Sequence, residues 1–336
     1  MFTNYSNYFF WLLLLCVTTS QAQILEAYVF DAVTKEPLFG VSVYFDGTTN
    51  GTSTNDEGKF RISYKPSTKS ALIISYLGYE KQLLDVRKLT NGTSLYLVAK
   101  PQVLGTVYLE NDTWSRKKKM DIFKREFIGR SVSATACRIV NQDDIELVYN
   151  PATQKLNAYA SKPLIIKNKY LGYTVSYILE EFEADLRLST MGDVLVRSVY
   201  VEGSSFYMEQ NKEVRRKHRK IREKEYDQSV LYFMRSLAKK QLTENGFQIF
   251  HKGFIVPPYK YFEITNMGED TKVNVTTNKL VIVYDRYYKS FLDIDDENRV
   301  FFINKFGNYS PPKKVFFGGV LGDKRVGNTL PLDYSL

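Results

Sequence analysis

The chain has 336 residues, of which 44% are hydrophobic and 25% charged, so it is long enough for two domains and is not disordered throughout. No stretch approaches the roughly 20 apolar residues of a membrane-spanning helix, so we expect no transmembrane span. The formal net charge is +9, and the 25 Tyr and 22 Phe favour strands over helices.

The N-terminus has the pattern of a secretory signal peptide. Phe9 to Val17 is an apolar run, and the small-residue pattern Ser20-Gln21-Ala22 follows it. This arrangement predicts cleavage after Ala22, with residues 1–22 removed and the mature chain exported. Lipidation at Cys16 is the alternative. Either outcome places the protein in the periplasm or at the outer membrane or cell surface.

Removal of residues 1–22 leaves Cys137 as the only cysteine, so no intramolecular disulfide can form. Cys137 lies in an apolar, strand-like run, which favours packing in the core. A thiol nucleophile assisted by a distant histidine is the alternative interpretation.

From residue 24 onward, apolar and polar residues alternate in short runs, which is the period of strands with one buried face. Turn-forming residues separate these runs at short intervals, as in a β-sandwich. The expected core-facing residues are Tyr28, Phe30, Val41, Val43, Phe45, Phe60, Ile62, Tyr64, Leu72, Ile74, Tyr76, Leu95 and Leu97.

Three local patterns occur in order in this region: Pro37 to Val43, Thr54 to Phe60 and Ile74 to Tyr79. Together they resemble the carboxypeptidase regulatory-like domain. The resemblance implies a prealbumin-like or Ig-like sandwich of seven strands over residues 24–100, which in similar proteins is an appendage to another part. Within it, Asp56 to Gly58 is expected to form a tight turn with a positive φ at the glycine.

Residues 101–336 are predicted to form an α+β domain of unknown function, which makes the whole chain β-rich and α+β. An amphipathic helix is expected from Trp114 to Gly129, and one long amphipathic helix from Lys212 to Asn245, ended by Gly246. Strands are expected at 137–140, 145–149, 155–160, 164–167, 173–180, 194–201, 204–208, 247–250, 261–265, 279–284 and 300–303.

Neither histidine begins the H-x-x-E pair of a zinc peptidase, because Ile221 follows His218 at that spacing and Phe254 follows His251. We therefore predict no catalytic residue, no metal and no cofactor, and expect His218 to be packed. Three further segments have structural interpretations. They are a hairpin turn at Gly203-Ser204-Ser205, a loop at Gly318 to Gly322, and incidental surface acids at Asp293, Asp295 and Glu297.

One charged segment stands out, because residues 212–224 hold eight cations against two glutamates. It could bind an anionic membrane or glycan, or it could be a solvated helix face without a partner. Export argues against a nucleic acid partner. The candidate binding residues are Lys212, Arg215, Arg216, Lys217, Arg219, Lys220, Arg222 and Lys224.

The sequence therefore predicts a non-catalytic envelope protein that binds or scaffolds another component, either an envelope protein or a polyanionic surface. An envelope enzyme with an unrecognised site in 101–336 is the rival. A deep pocket lined by converging polar groups would favour that rival.

Overall fold

The computed structural model describes residues 23–65, 70–100, 112, 114–130, 132–189, 194–294 and 299–335. These residues contain 22 strands in five sheets and five α-helices. The predicted β-rich, α+β class is confirmed. No helix in this part of the chain is long and apolar enough to cross a bilayer.

Seven strands build the N-terminal sandwich: β1 (Gln23–Asp31), β2 (Ser42–Phe45), β3 (Gly51–Ser53), β4 (Lys59–Tyr64), β5 (Leu72–Ser75), β6 (Gln82–Leu84) and β7 (Thr93–Leu97). β1 pairs antiparallel with β4 and parallel with β7. The two sheets have the orders β4-β1-β7 and β3-β2-β5-β6. Period-two alternation and turn spacing thus lead to the expected sandwich.

The core between these sheets contains most of the predicted residues, but the predicted face of β1 is wrong. Leu25, Ala27 and Val29 are buried, whereas Tyr28 and Phe30 lie on the outer face with their rings stacked at 6.3 Å. Both faces of β1 carry several apolar side chains, so the period-two pattern alone does not indicate which one is buried.

The turn before β4 shows why glycine is needed there. Gly58 has φ +70°, and a Cβ at this position would lie 2.5 Å from the backbone oxygen of Val29. Asn55 Oδ1 accepts hydrogen bonds from the backbone N–H groups of Glu57 and Lys59. The tight turn predicted at Asp56 to Gly58 is therefore present.

The next part of the chain contains α1 (Arg116–Phe127), α2 (Val132–Thr135), β8 (Cys137–Ile139), β9 (Ile145–Asn150), β10 (Lys155–Ala160), β11 (Leu164–Asn168), β12 (Tyr173–Leu188) and β13 (Val194–Glu209). The sheet order is β8-β11-β12-β10-β9, and β13 pairs with the other edge of β12. α1 packs against the sheet, with the rings of Phe123 and Phe182 4.8 Å apart.

The hairpin turn predicted at Gly203-Ser204-Ser205 is wrong, because these residues lie inside β13. Gly203 pairs with Leu179 beside a register shift between Leu179 and Glu181. A Cβ on Gly203 would lie 2.3 Å from the backbone oxygen of Ile178. The glycine therefore marks a β-bulge with close backbone approach rather than a chain reversal.

The single long helix predicted from Lys212 to Asn245 is also wrong. Two helices occupy the segment, α3 (Arg216–Asp227) and α4 (Val230–Ala238). Ser229 has an extended backbone, and its Oγ accepts a hydrogen bond from the N–H of Tyr232 at 3.0 Å. The serine thus caps a new helix, a role that competes with continuing the first one.

The C-terminal part contains β14 (Phe247–His251), β15 (Phe254–Val256), β16 (Phe262–Met267), β17 (Asp270–Val275), β18 (Lys279–Tyr284), β19 (Tyr288–Ile294), β20 (Val300–Asn304), β21 (Tyr309–Ser310), β22 (Val315–Gly318) and α5 (Gly319–Gly322). Its two sheets have the orders β15-β14-β18-β19-β22 and β16-β17-β20-β21. They share a hydrophobic cluster with Phe233 and Leu237 of α4.

The loop predicted at Gly318 to Gly322 is instead the last residue of β22 and one helical turn. Ser290 Oγ supports this turn by accepting a hydrogen bond from the N–H of Leu321.

The sandwich contacts the rest of the chain through the loop between β2 and β3. Gly47 N–H donates to the backbone oxygen of Ser205 at 2.7 Å, and Tyr207 N–H donates to that of Thr48 at 3.0 Å. Next to them the rings of Tyr44 and Phe206 stack at 5.1 Å. This loop therefore docks directly on β13.

Candidate functional site

The basic segment predicted from the sequence lies on and just before α3. Seven of its eight cations are exposed, and we call this set the α3 basic face: Lys212, Arg215, Arg216, Lys217, Arg219, Lys220 and Lys224. Within the described residues, none of the seven lies within 4.0 Å of a carboxylate. These charges are therefore open to solvent or to a partner.

Arg222, the eighth predicted binding residue, is not part of this surface. It is 3% exposed, and its guanidinium donates to both carboxylate oxygens of Glu209 at 2.7 and 2.8 Å and to the backbone oxygen of Leu171 at 2.8 Å. The same group stacks 3.7 Å from the ring centre of Tyr173. Its donors are used within the fold, so its prediction as a binding residue is wrong.

Two other side chains anchor the inner side of α3. His218 is buried against Gly172, where its imidazole ring occupies the space that a Cβ would need. Burial lowers the pKa of His218, and the nearby charge of Arg222 lowers it further. Glu225 accepts hydrogen bonds from Tyr170, Lys324 and Asn328 at 2.9, 2.6 and 3.0 Å. The expected packing of His218 is thus present.

A cleft of about 320 Å³ lies between α1, α2 and β8, and we call it the Cys137 cleft. Four of its lining residues are cations and none is a carboxylate or a histidine. The lining residues are Lys124, Arg125, Ile128, Gly129, Arg130, Ala134, Thr135, Cys137, Arg138, Ile139 and Gln142.

The thiol of Cys137 is not set up as a nucleophile. Burial raises its pKa to about 12, so it is protonated at neutral pH despite the surrounding cations. Cys137 packs against the hydrophobic cluster beneath the six-stranded sheet. This position agrees with the core interpretation of the residue.

Sequence reasoning missed this cleft, although a signal for it was present. Residues 116–138 hold eight Lys or Arg against Asp121 and Glu126, which matches the charge ratio of residues 212–224. The cations of this earlier segment alternate with the apolar residues of α1. The periodicity of the segment therefore predicts an amphipathic helix and does not by itself indicate a cluster of cations.

The second histidine has neutral neighbours. His251 lies with Nδ1 2.7 Å from the hydroxyl of Tyr261 and Nε2 3.3 Å from that of Thr277.

Across the described ranges, no group of three or more His, Cys, Asp or Glu is arranged to hold a metal ion. The predictions for the signal peptide and Cys16, and for Asp295 and Glu297, fall outside the described residues.

Comparison with solved structures returned a protein from Bacteroides uniformis ATCC 8492 described as a "putative carbohydrate binding protein". It has 8% sequence identity and a TM-score of 0.18, with 88% of this chain and 98% of that chain covered. A TM-score this low supports no inference about fold or function. Comparison with curated proteins found no match.

Comparison with protein-family models found a match over residues 26–106. The match covers less than a third of the chain, so it identifies a domain and leaves residues 107–336 unassigned. It contains β2 to β7 and most of β1. The N-terminal sandwich is therefore a CarboxypepD_reg-like domain.

Proposed function

We propose that this chain is a non-catalytic binding protein of the bacterial cell envelope, which attaches to a polyanionic partner through the α3 basic face. The CarboxypepD_reg-like domain supports a role without catalysis, because in resembling proteins it is an appendage to another part. Residues 101–336 supply the binding surface in this proposal.

The observation that carries the proposal is the charge of the α3 basic face. Its seven exposed cations stand beside only two acidic residues of the same segment, Glu213 and Glu223, which leaves an excess of five positive charges. A concentrated positive surface attracts an anionic lipid surface with a strength of about 1 kcal/mol for each nearby cation, and the same charge attracts anionic glycans.

The inner contacts of α3 give this surface a fixed frame. Arg222 and Glu225 are tied to the β11–β12 turn and to the C-terminal segment, so the helix cannot roll without breaking buried hydrogen bonds. Cations held on a fixed helix lose less conformational entropy on binding than cations on a mobile tail.

Location in the envelope rests on the N-terminal pattern. If residues 1–22 are a signal peptide, mass spectrometry of the protein recovered from the periplasmic or membrane fraction should find a mature N-terminus at Gln23. Intact residues 1–22 on protein from the cytosolic fraction would contradict export.

The binding test uses dextran sulfate and vesicles containing anionic lipid as separate probes, with the mature chain. One variant neutralises four cations of the α3 basic face: Arg216→Gln, Lys217→Gln, Lys220→Gln and Lys224→Gln. A control variant makes the same change in net charge at exposed positions elsewhere: Lys239→Gln, Lys252→Gln, Lys260→Gln and Lys289→Gln.

We expect the first variant to bind at least one of the two probes about tenfold or more weakly than the wild type, and the control to bind like the wild type. Equal losses in both variants would mean that only net charge matters. Wild-type binding to neither probe would also contradict the proposal.

A further inference from the structure

We propose that the Cys137 cleft is a second, separate anion site, which takes a small soluble phosphate monoester. Its cations come from the C-terminal turn of α1, the following loop and β8, and none of them belongs to the α3 basic face. The assignment does not depend on what α3 binds.

The charge balance of the cleft favours an anion with two negative charges. Four cations line it, and two of them form ion pairs with Glu126, whose side chain is 2% exposed. Glu126 Oε1 accepts from Arg125 Nε at 2.8 Å and from Arg130 Nη2 at 2.6 Å. One buried carboxylate thus orients two guanidinium groups and leaves an excess of three positive charges. A phosphate monoester carries a charge of about −2 at neutral pH.

The guanidinium groups keep donors for a ligand. An arginine has five N–H donors, and Arg125 and Arg130 each use one of them on Glu126. Their side chains are 38% and 62% exposed, so the remaining donors can reach the cleft. A guanidinium group can donate two parallel hydrogen bonds to two oxygens of one phosphate. This geometry favours a phosphoryl group over an anion whose charge lies on a single atom.

Arg138 gives an independent reason to expect an anion in the cleft. It lies directly opposite Lys167 in the antiparallel pair of β8 and β11, and both side chains are exposed. Like charges directly opposite each other on a sheet destabilise it, and an anion bound beside Arg138 in the cleft would reduce that repulsion. Lys124 and Arg125 offset the negative end of the α1 dipole. Arg130 and Arg138 lie beyond the helix and have no such role.

The size and lining of the cleft indicate which chemical group the phosphate is attached to. The volume of about 320 Å³ is at the lower end of the range for small-molecule sites. Ile128, Ala134 and Ile139 form an apolar part of the lining, and Lys124 Nζ is held by Gln142 Oε1 at 2.6 Å. A phosphate on a small apolar body therefore fits better than free phosphate.

The experiment is calorimetric titration of the mature chain with phenyl phosphate, phenyl sulfate and inorganic phosphate. We expect phenyl phosphate to bind most tightly. The variant Arg130→Gln/Arg138→Gln should bind it about tenfold or more weakly. A matched pair on the other surface, Arg216→Gln/Lys220→Gln, should bind it like the wild type, which separates this site from the proposed function of α3.

No binding of phenyl phosphate to the wild type would overturn the proposal, and so would equal binding to the Arg130→Gln/Arg138→Gln variant. Phenyl sulfate binding as tightly as phenyl phosphate would overturn the assignment to a phosphate ester. A second measurement needs no variant: saturating phenyl phosphate should slow alkylation of Cys137 at pH 9 severalfold, and an unchanged rate counts against occupancy of this cleft.

Discussion

Two arginines of α3 lie in different environments, and the effect on the free energy of unfolding can be measured. Arg222 is buried, paired with Glu209 and stacked on Tyr173, whereas Arg216 is exposed. We expect Arg222→Ala to lower the free energy of unfolding by about 1–3 kcal/mol, because it leaves the buried backbone oxygen of Leu171 without its donor and removes the stacking on Tyr173. Arg216→Ala should change it by less than about 0.5 kcal/mol. Urea unfolding measures both, and similar losses would contradict the assigned roles.

His218 should make stability depend on pH. Burial, followed by the charges of Arg222, Lys217 and Arg215, lowers its pKa in the folded chain. The unfolded chain therefore binds the proton more readily, so the stability that neutral His218 contributes is full above the unfolded pKa of about 6.5 and is lost as the pH falls below it.

We expect the wild type to lose more unfolding free energy between pH 7.5 and pH 5 than His218→Gln does. The difference in unfolding free energy between the variant and the wild type at pH 7.5 is not the test, because glutamine also alters packing. Parallel pH profiles from chemical denaturation would contradict a buried neutral histidine.

At the scale of elements, Ser229 lies at the break between the two helices of residues 216–238 and caps the second one. Ser229 Oγ accepts the N–H of Tyr232 and donates to the backbone oxygen of Tyr226 at 2.6 Å. Ser229→Ala should lower the free energy of unfolding by about 1 kcal/mol, and Ser229→Asp, which keeps a capping acceptor, by less. Equal stability of the two variants in thermal or urea unfolding would contradict the cap.

Most strands could be predicted from the sequence because alternation reports burial wherever one face is polar. Val41, Val43 and Phe45 follow that rule and are buried. β1 does not, since apolar side chains occur on both of its faces, aromatic ones on the outer face and aliphatic ones on the inner face. The helix break escaped prediction for a similar reason, because the apolar spacing continues across Ser229 while the capping bond is visible only in three dimensions.

The candidate site was predictable only in part. A linear run of cations indicated the α3 basic face, but which of them turns inward depends on contacts with Glu209 of β13 and Tyr173 of β12, which the helical pattern does not show. The Cys137 cleft needed Arg130 and Arg138 to come together around α2. Convergence of this kind depends on the tertiary fold and leaves no local period.

At the scale of the whole molecule, the C-terminal tail joins the parts of the chain. Arg235 of α4 donates to the backbone oxygens of Leu332 and Tyr334, each at 2.8 Å. Leu332 N–H donates to the oxygen of Gly47 in the sandwich at 2.7 Å, and Asp333 accepts from Thr49. The tail thus links the docking loop of the sandwich to the helices.

A glycine at this junction gives a sensitive test of docking. A Cβ on Gly51 would lie 2.5 Å from the ring of Phe206 and 2.8 Å from the Cβ of Tyr44. Alanine in a strand is ordinarily favourable, so the expected loss of about 1–3 kcal/mol on Gly51→Ala reports the contact between the sandwich and β13. In a Phe206→Leu background the part of this loss that comes from the Phe206 ring should disappear, while the part that comes from the Tyr44 Cβ, which belongs to the sandwich, should remain. An equal loss in both backgrounds, by urea unfolding, would contradict the docking.

The measurement that tests the central claim most directly is the salt dependence of binding to dextran sulfate. Each cation that displaces counterions adds about one unit to the slope of log affinity against log salt concentration. If the α3 basic face is the binding surface, neutralising Arg216, Lys217, Lys220 and Lys224 should lower the wild-type slope by about three to four units. An unchanged slope would place the contact elsewhere and contradict the account.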